Sequence, residues 1–208
     1  MAGCGCTNNV KFDGLSARYK TILWVVIAIN ALMFLVEGSA SVVSNSMALS
    51  ADALDFLGDS LTYGLTLLAI GHSLRWRASA ALFKGVTLAV MGVVVLASTL
   101  YRVLLLEQPN EMIMGSVALL AFGANLFCAL LLMRYRNGDA NVRSVWLCSR
   151  NDAIGNIAVL IAALTVHQVQ SPWPDLLVAA LMAGLFLHSA TLILRQAMAE
   201  FRSTQATA

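Results

Sequence analysis

The stretch WLCSRNDAIGNIAVLIAAL, residues 146–164, decides the fold class because a polar beginning leads into a long apolar run. From Ala153 onward the run favours a helix in lipid, where the backbone must satisfy its own hydrogen bonds. Polar or ionisable side chains at the head of such a helix need a partner inside the protein. The stretch therefore indicates a site as well as a helix. Four such residues stand directly before the run: Cys148, Arg150, Asn151 and Asp152.

The composition of the 208 residues places the chain in the membrane class. Hydrophobic residues make up 59% of the chain and charged residues only 12%. A soluble domain with that balance would expose too much apolar surface to remain in solution. The net charge is +2 and no basic run suited to nucleic acid is present, so we expect a lipid membrane and no nucleic acid as partner.

Six apolar stretches predict an all-α, polytopic membrane protein with six transmembrane helices, since each is long enough for a span of about 20 residues. Their continuous apolar character lacks the strict alternation of a transmembrane β-barrel. The spans are placed at 21–43, 52–72, 80–102, 112–133, 146–167 and 173–195. The expected domains are an N-terminal tail over 1–20, a six-helix transmembrane domain over 21–195 and a short C-terminal tail over 196–208.

The distribution of lysine and arginine predicts that both termini are cytoplasmic. Basic residues lie in the N-terminal tail, the 2–3 and 4–5 loops and the C-terminal tail, whereas the 1–2 and 5–6 connections have none. Loops rich in lysine and arginine remain on the cytoplasmic side of a membrane. Six helices are consistent with this arrangement.

Acidic residues inside the predicted spans carry the functional interpretation, because an ionised aspartate at a helix centre costs roughly 2.5–3.5 kcal/mol in lipid. Asp55 and Asp59 are four residues apart, as are Cys148 and Asp152, which places each pair on one helix face. Together the pairs offer three carboxylates and one thiolate, a set that suits a tetrahedral divalent metal, with zinc the first candidate. The thiolate favours zinc or cadmium over magnesium or calcium.

Four further polar residues are expected beside these ligands or on the path of the ion: Asp52, Glu37, Arg150 and Asn151. Asp52 lies on nearly the same helical stripe as Asp55 and Asp59. Arg150 needs a counter-ion at this depth, which Asp52 or Glu37 can supply. Alternatively, the Arg150 side chain extends to the cytoplasmic interface. A structural role is the alternative for these residues and for the predicted ligands. An aspartate within the membrane can be a buried hydrogen-bond partner, and Cys148 can be a small hydrophobe.

The chain resembles the cation diffusion facilitator family of metal/proton antiporters. SNSMALSADALDFLGDSLTYGLTLLA is similar to the family's second-helix motif, and NVRSVWLCSRNDAIGNIAVLIAAL is similar to its fifth-helix motif. NALMFLVEG, FGANL and WPDLLVAALMAG are similar to parts of its first, fourth and sixth helices. The resemblance covers about residues 15–197. It implies that Asp55, Asp59, Cys148 and Asp152 bind the transported metal.

The resemblance also implies a function: proton-coupled efflux of divalent transition-metal cations from the cytoplasm, by a homodimer in the bacterial inner membrane, with no enzymatic activity. Zinc is the expected substrate, followed by cadmium or cobalt. Two differences from the family stand out. Cys148 occupies a position where the family usually has histidine, and the 208 residues do not include the family's usual cytoplasmic C-terminal domain. Dimerisation is therefore expected to depend on the membrane part or to be weaker.

Two other interpretations predict different behaviour. A non-transporting membrane subunit or metal sensor would bind metal without flux. An intramembrane aspartyl protease would need two aspartates on separate helices, flanked by a motif such as Gly-x-Gly-Asp. Gly58 does precede Asp59, but Phe56 replaces the first glycine of that motif. A protease would also leave Asp55 and Cys148 without a role.

Overall fold

The structure, a computed structural model, describes residues 16–69, 74–136 and 140–206 and folds them into six α-helices and one short 3-10 turn. These residues contain no β-strand, which confirms the all-α class. Most of the predicted tail over 1–20 and the last two residues of the tail over 196–208 lie outside the described residues. The helices are α1 (Ala17–Ser44), α2 (Met47–Ala69), α3 (Leu74–Leu105), α4 (Glu111–Leu132), α5 (Ala140–Val169) and α6 (Trp173–Ala206).

Five of these helices contain a segment long and apolar enough to cross a membrane, so the chain is an integral, multi-pass membrane protein. The segments lie in α1, α3, α4, α5 and α6. The remaining helix, α2, is 23 residues long but carries the three aspartates Asp52, Asp55 and Asp59. The prediction of a sixth span therefore depends on α2.

The connection between α1 and α2 is shorter than the sequence indicated, because α2 begins at Met47, five residues before the predicted start at 52. Asn45 ends α1 in the left-handed conformation, with φ of 57°, which asparagine tolerates better than most residues. Asp175, from the start of α6, accepts hydrogen bonds from the backbone N–H groups of Met47 (2.8 Å) and Ala48 (3.0 Å). This side chain caps the first turn of α2 and lets the helix begin early.

The helices pack as neighbouring pairs around a gap. α3 packs along α6, α4 along α5 and α1 along α2, whereas α2 and α5 touch each other at few positions. The approach of α3 to α6 is close at Gly92, where an added Cβ would lie 2.9 Å from Cγ of Leu187. α2 and α5 also contact α6, and α2 contacts α3. These four helices therefore surround the space in which the polar residues meet.

Candidate metal site

A cavity of about 520 Å³ lies among α2, α3, α5 and α6. Its walls are mainly apolar, and polar side chains are concentrated on α2 and α5. The i, i+4 spacing of each predicted ligand pair turns both members of the pair towards this cavity. The structure thus brings together, around one space, all four predicted ligands: Asp55, Asp59, Cys148 and Asp152.

The three carboxyl groups of this set are neighbours across the gap between α2 and α5. The Asp152 carboxyl group lies within hydrogen-bonding reach of those of Asp55 and Asp59. Two carboxyl groups at that separation share a proton or a cation readily, because two adjacent negative charges repel in a low-dielectric environment. Cys148, one turn before Asp152, brings its thiol to the same cavity.

The four candidate ligands line one cavity without enclosing a single point. In the ranges that the structure describes, no three acidic, cysteine or histidine side chains converge closely enough to hold a metal ion. Metal coordination by this set therefore requires α2 and α5 to approach each other or their side chains to reorient. The sparse contact between these two helices leaves room for such a movement.

Tyr63 is a further residue of the site, beyond those predicted from the sequence. Its hydroxyl group donates a hydrogen bond to Oδ2 of Asp59, one turn earlier on α2. The Tyr63 side chain is fully buried and packs beside Cys128 and Leu132. It therefore holds the Asp59 carboxylate in one orientation, as partners behind a ligand commonly do. The Asp-x-x-x-Tyr spacing was the available signal.

The four accompanying residues fall into two groups. Glu37 and Asp52 are both buried, and their carboxyl groups contact each other. Arg150 is exposed: its guanidinium group lies 5.2 Å from the centre of the Trp146 ring and donates to Oδ1 of Asn151 at 3.0 Å. Glu37 and Asp52 thus lie beside each other and not beside Arg150. Asp52 and Asn151 line the cavity, and Glu37 lies behind Asp52.

A multi-pass bundle of apolar helices whose acidic and thiol groups face an internal cavity has the architecture of a membrane protein that handles cations. Residues 23–201 match the cation efflux transmembrane domain, and the chain belongs to this family, the cation diffusion facilitators. Members of the family are transporters, so the expectation that the chain is not an enzyme is confirmed. The protease interpretation is thereby rejected.

Three relatives illustrate the family. The chain is 27% identical over 192 residues to the zinc transporter ZitB of Yersinia pestis, covering 86% of the chain and 61% of that protein. It is 24% identical over 184 residues to the metal cation efflux system protein CzcD of Cupriavidus metallidurans, covering 83% and 58%. It is 24% identical over 190 residues to a cadmium, cobalt and zinc/H(+)-K(+) antiporter of Bacillus velezensis, covering 82% and 58%. The chain spans about three fifths of the length of these relatives.

Proposed function

We propose that this protein exports divalent transition-metal cations from the cytoplasm in exchange for protons. Zinc is the first expected substrate, and cadmium and cobalt follow. The observation that carries the proposal is the meeting of Asp55, Asp59, Cys148 and Asp152 around one cavity in an apolar helix bundle. Three carboxylates and a thiolate suit a tetrahedral, borderline-soft ion. The names of the relatives, a zinc transporter and a cadmium, cobalt and zinc antiporter, support the same ions.

Exchange for protons follows from the chemistry of these ligands. Carboxylates and thiolates bind a metal only when deprotonated, so an arriving ion displaces the protons that they hold. The Asp152 carboxyl group, which lies within reach of Asp55 and Asp59, is placed to share such protons. When the cavity opens towards a more acidic compartment, protons return to the ligands and release the metal.

The remaining parts of the proposal concern the membrane arrangement. We place all six helices across the membrane, with α2 as the sixth span and both termini in the cytoplasm. α2 tolerates its three aspartates there because Asp55 and Asp59 face the cavity and Asp52 contacts Glu37. A homodimer in the bacterial inner membrane is the expected form, by analogy with the family.

The test is metal flux into proteoliposomes that carry a pH gradient, measured separately for zinc and cadmium. Flux of the wild type should require the gradient. Asp59→Ala should abolish flux because it removes a central carboxylate, and Cys148→Ser should shift the preference away from cadmium because a hydroxyl is a harder ligand. Arg150→Ala is a suitable control, since Arg150 contacts Trp146 and Asn151 and does not line the cavity.

The outcomes separate the alternatives. Gradient-dependent flux that disappears in Asp59→Ala supports the antiporter. Metal binding by the wild type without flux would instead identify a sensor or a non-transporting subunit. Absence of binding in the wild type would contradict the proposal and return the aspartates to structural roles.

A further inference from the structure

Lys84 shares the cavity with the candidate ligands although it comes from a different helix. It lies on α3, is half-buried, and lines the same 520 Å³ space as the acidic residues. Lys84 stands ten residues after the start of α3, and Asp59 stands ten residues before the end of α2. Because the two helices are consecutive in the chain, this spacing is consistent with a similar depth in the bundle.

The charge of Lys84 has no fixed partner among the described side chains. Among the residues that the structure describes, the ion pairs join Arg102 to Glu107 and His167 to Glu111, so none of the described acids forms an ion pair with Lys84. Lys84 nevertheless lines the same cavity as Asp55 and Asp59. An ammonium group on a flexible four-carbon stem can move within such a space.

The surroundings of Lys84 are otherwise neutral or acidic. Among the described cavity-lining side chains it is the single base, and the ionisable groups that face it come from α2 and α5. The cavity wall contributed by α6 is uncharged and includes Met182, Phe186 and Ser189. A mobile positive charge therefore stands in a cavity whose other charged groups attract cations.

We propose that Lys84 determines the affinity of the cavity for divalent cations, because its tethered positive charge repels the arriving metal ion. The inference rests on the proposed function, because it concerns the same cavity. With no metal present, the ammonium group partly neutralises the cluster of carboxylates. When a metal ion enters, the ammonium group withdraws along the cavity and its repulsion weakens binding, which favours release.

The size of the cavity sets the expected effect. A sphere of 520 Å³ is about 10 Å across, so a divalent ion and the ammonium group are separated by about that distance or less. With an effective dielectric constant of about 20, their repulsion corresponds to a few hundredfold in affinity. Withdrawal of the flexible side chain reduces this penalty, so we expect neutralisation to tighten binding by about tenfold or more.

The experiment measures zinc and cadmium binding by titration calorimetry on the purified full chain in detergent, at one alkaline pH and one ionic strength. The variants are Lys84→Met, which keeps the unbranched shape without the charge, and Lys84→Arg, which keeps the charge. Lys84→Gln serves as a second neutral variant if Lys84→Met is not monodisperse. Asp59→Ala identifies the signal that belongs to the cavity.

Tighter binding in the neutral variants, with Lys84→Arg close to the wild type, is the expected result. A purely structural role for Lys84 would not produce it, since damage to the cavity weakens binding. Unchanged or weaker binding in the neutral variants would overturn the inference while leaving the proposed function intact. Equal tightening in Lys84→Arg would overturn it too, because shape and not charge would then be responsible. A wild type that binds no metal would instead refute the proposed function, and this inference with it.

Discussion

Asp175 joins two helices that are distant in the sequence, and its replacement by alanine should destabilise the protein strongly. Its buried carboxylate, at the start of α6, accepts hydrogen bonds from Ser46 Oγ (2.6 Å) and from the backbone N–H groups of Met47 (2.8 Å) and Ala48 (3.0 Å). These N–H groups belong to the first turn of α2 and have no partner within that helix. Alanine would leave both of them buried and unsatisfied.

The magnitude follows from the number of donors that lose their acceptor. A hydrogen bond to a charged group contributes about 1.5–3 kcal/mol. The Ser46 hydroxyl can turn to another acceptor, so only the two backbone bonds are counted. We use the lower end of the range, because alanine also removes the desolvation penalty of a buried carboxylate. The expected loss is about 3 kcal/mol, above the value of about 1 kcal/mol typical of an exposed helix cap.

The assay is denaturant-induced unfolding in detergent micelles, followed by the helical circular dichroism signal. Asp175→Asn should fall between the wild type and Asp175→Ala, because an amide keeps one acceptor oxygen but loses the charge. Glu111→Gln is the matched control. Glu111 is also an acidic residue in the first turn of a helix, but its partner His167 is exposed, so little change is expected.

A loss of stability below about 1 kcal/mol in Asp175→Ala would refute the reasoning, since it would mean that water or another group satisfies the freed N–H groups. An equal loss in Glu111→Gln would refute it as well. The effect would then belong to any acidic residue at a helix N-terminus and not to the buried contact between α6 and α2.

Three further predictions concern single side chains. Tyr63→Phe should weaken zinc binding by roughly 10-fold, as measured by calorimetry, because it frees the neighbouring aspartate to rotate; the exposed Tyr101→Phe should not. Gly92→Ala should lower the unfolding midpoint because its Cβ would meet α6, whereas Gly123→Ala, which meets nothing within 4 Å, should leave the midpoint unchanged or raise it. Arg150→Ala should retain at least half of the wild-type zinc flux, because the arginine is exposed and stacks on the half-buried Trp146 ring outside the cavity; loss of flux would place it on the ion path.

Much of the candidate site was predictable because its information is local. Apolar segments long enough to span a bilayer can be recognised from residue type alone, since each backbone group is satisfied within its own helix. The i, i+4 spacing of Asp55 with Asp59, and of Cys148 with Asp152, follows from the 3.6-residue helical period. The packing of α2 and α5 around one space then brings both pairs to one cavity.

The sequence by itself therefore determined the membrane class, the helical segments and the identity of the polar residues that meet. Only the tertiary structure decided where α2 begins, because its cap comes from Asp175, more than a hundred positions away. It also decided that Lys84 lines the same cavity as the acids and that Glu37 lies beside Asp52 and not beside Arg150. These are contacts between helices, set by how the helices pack against one another, and no periodicity within one helix encodes them.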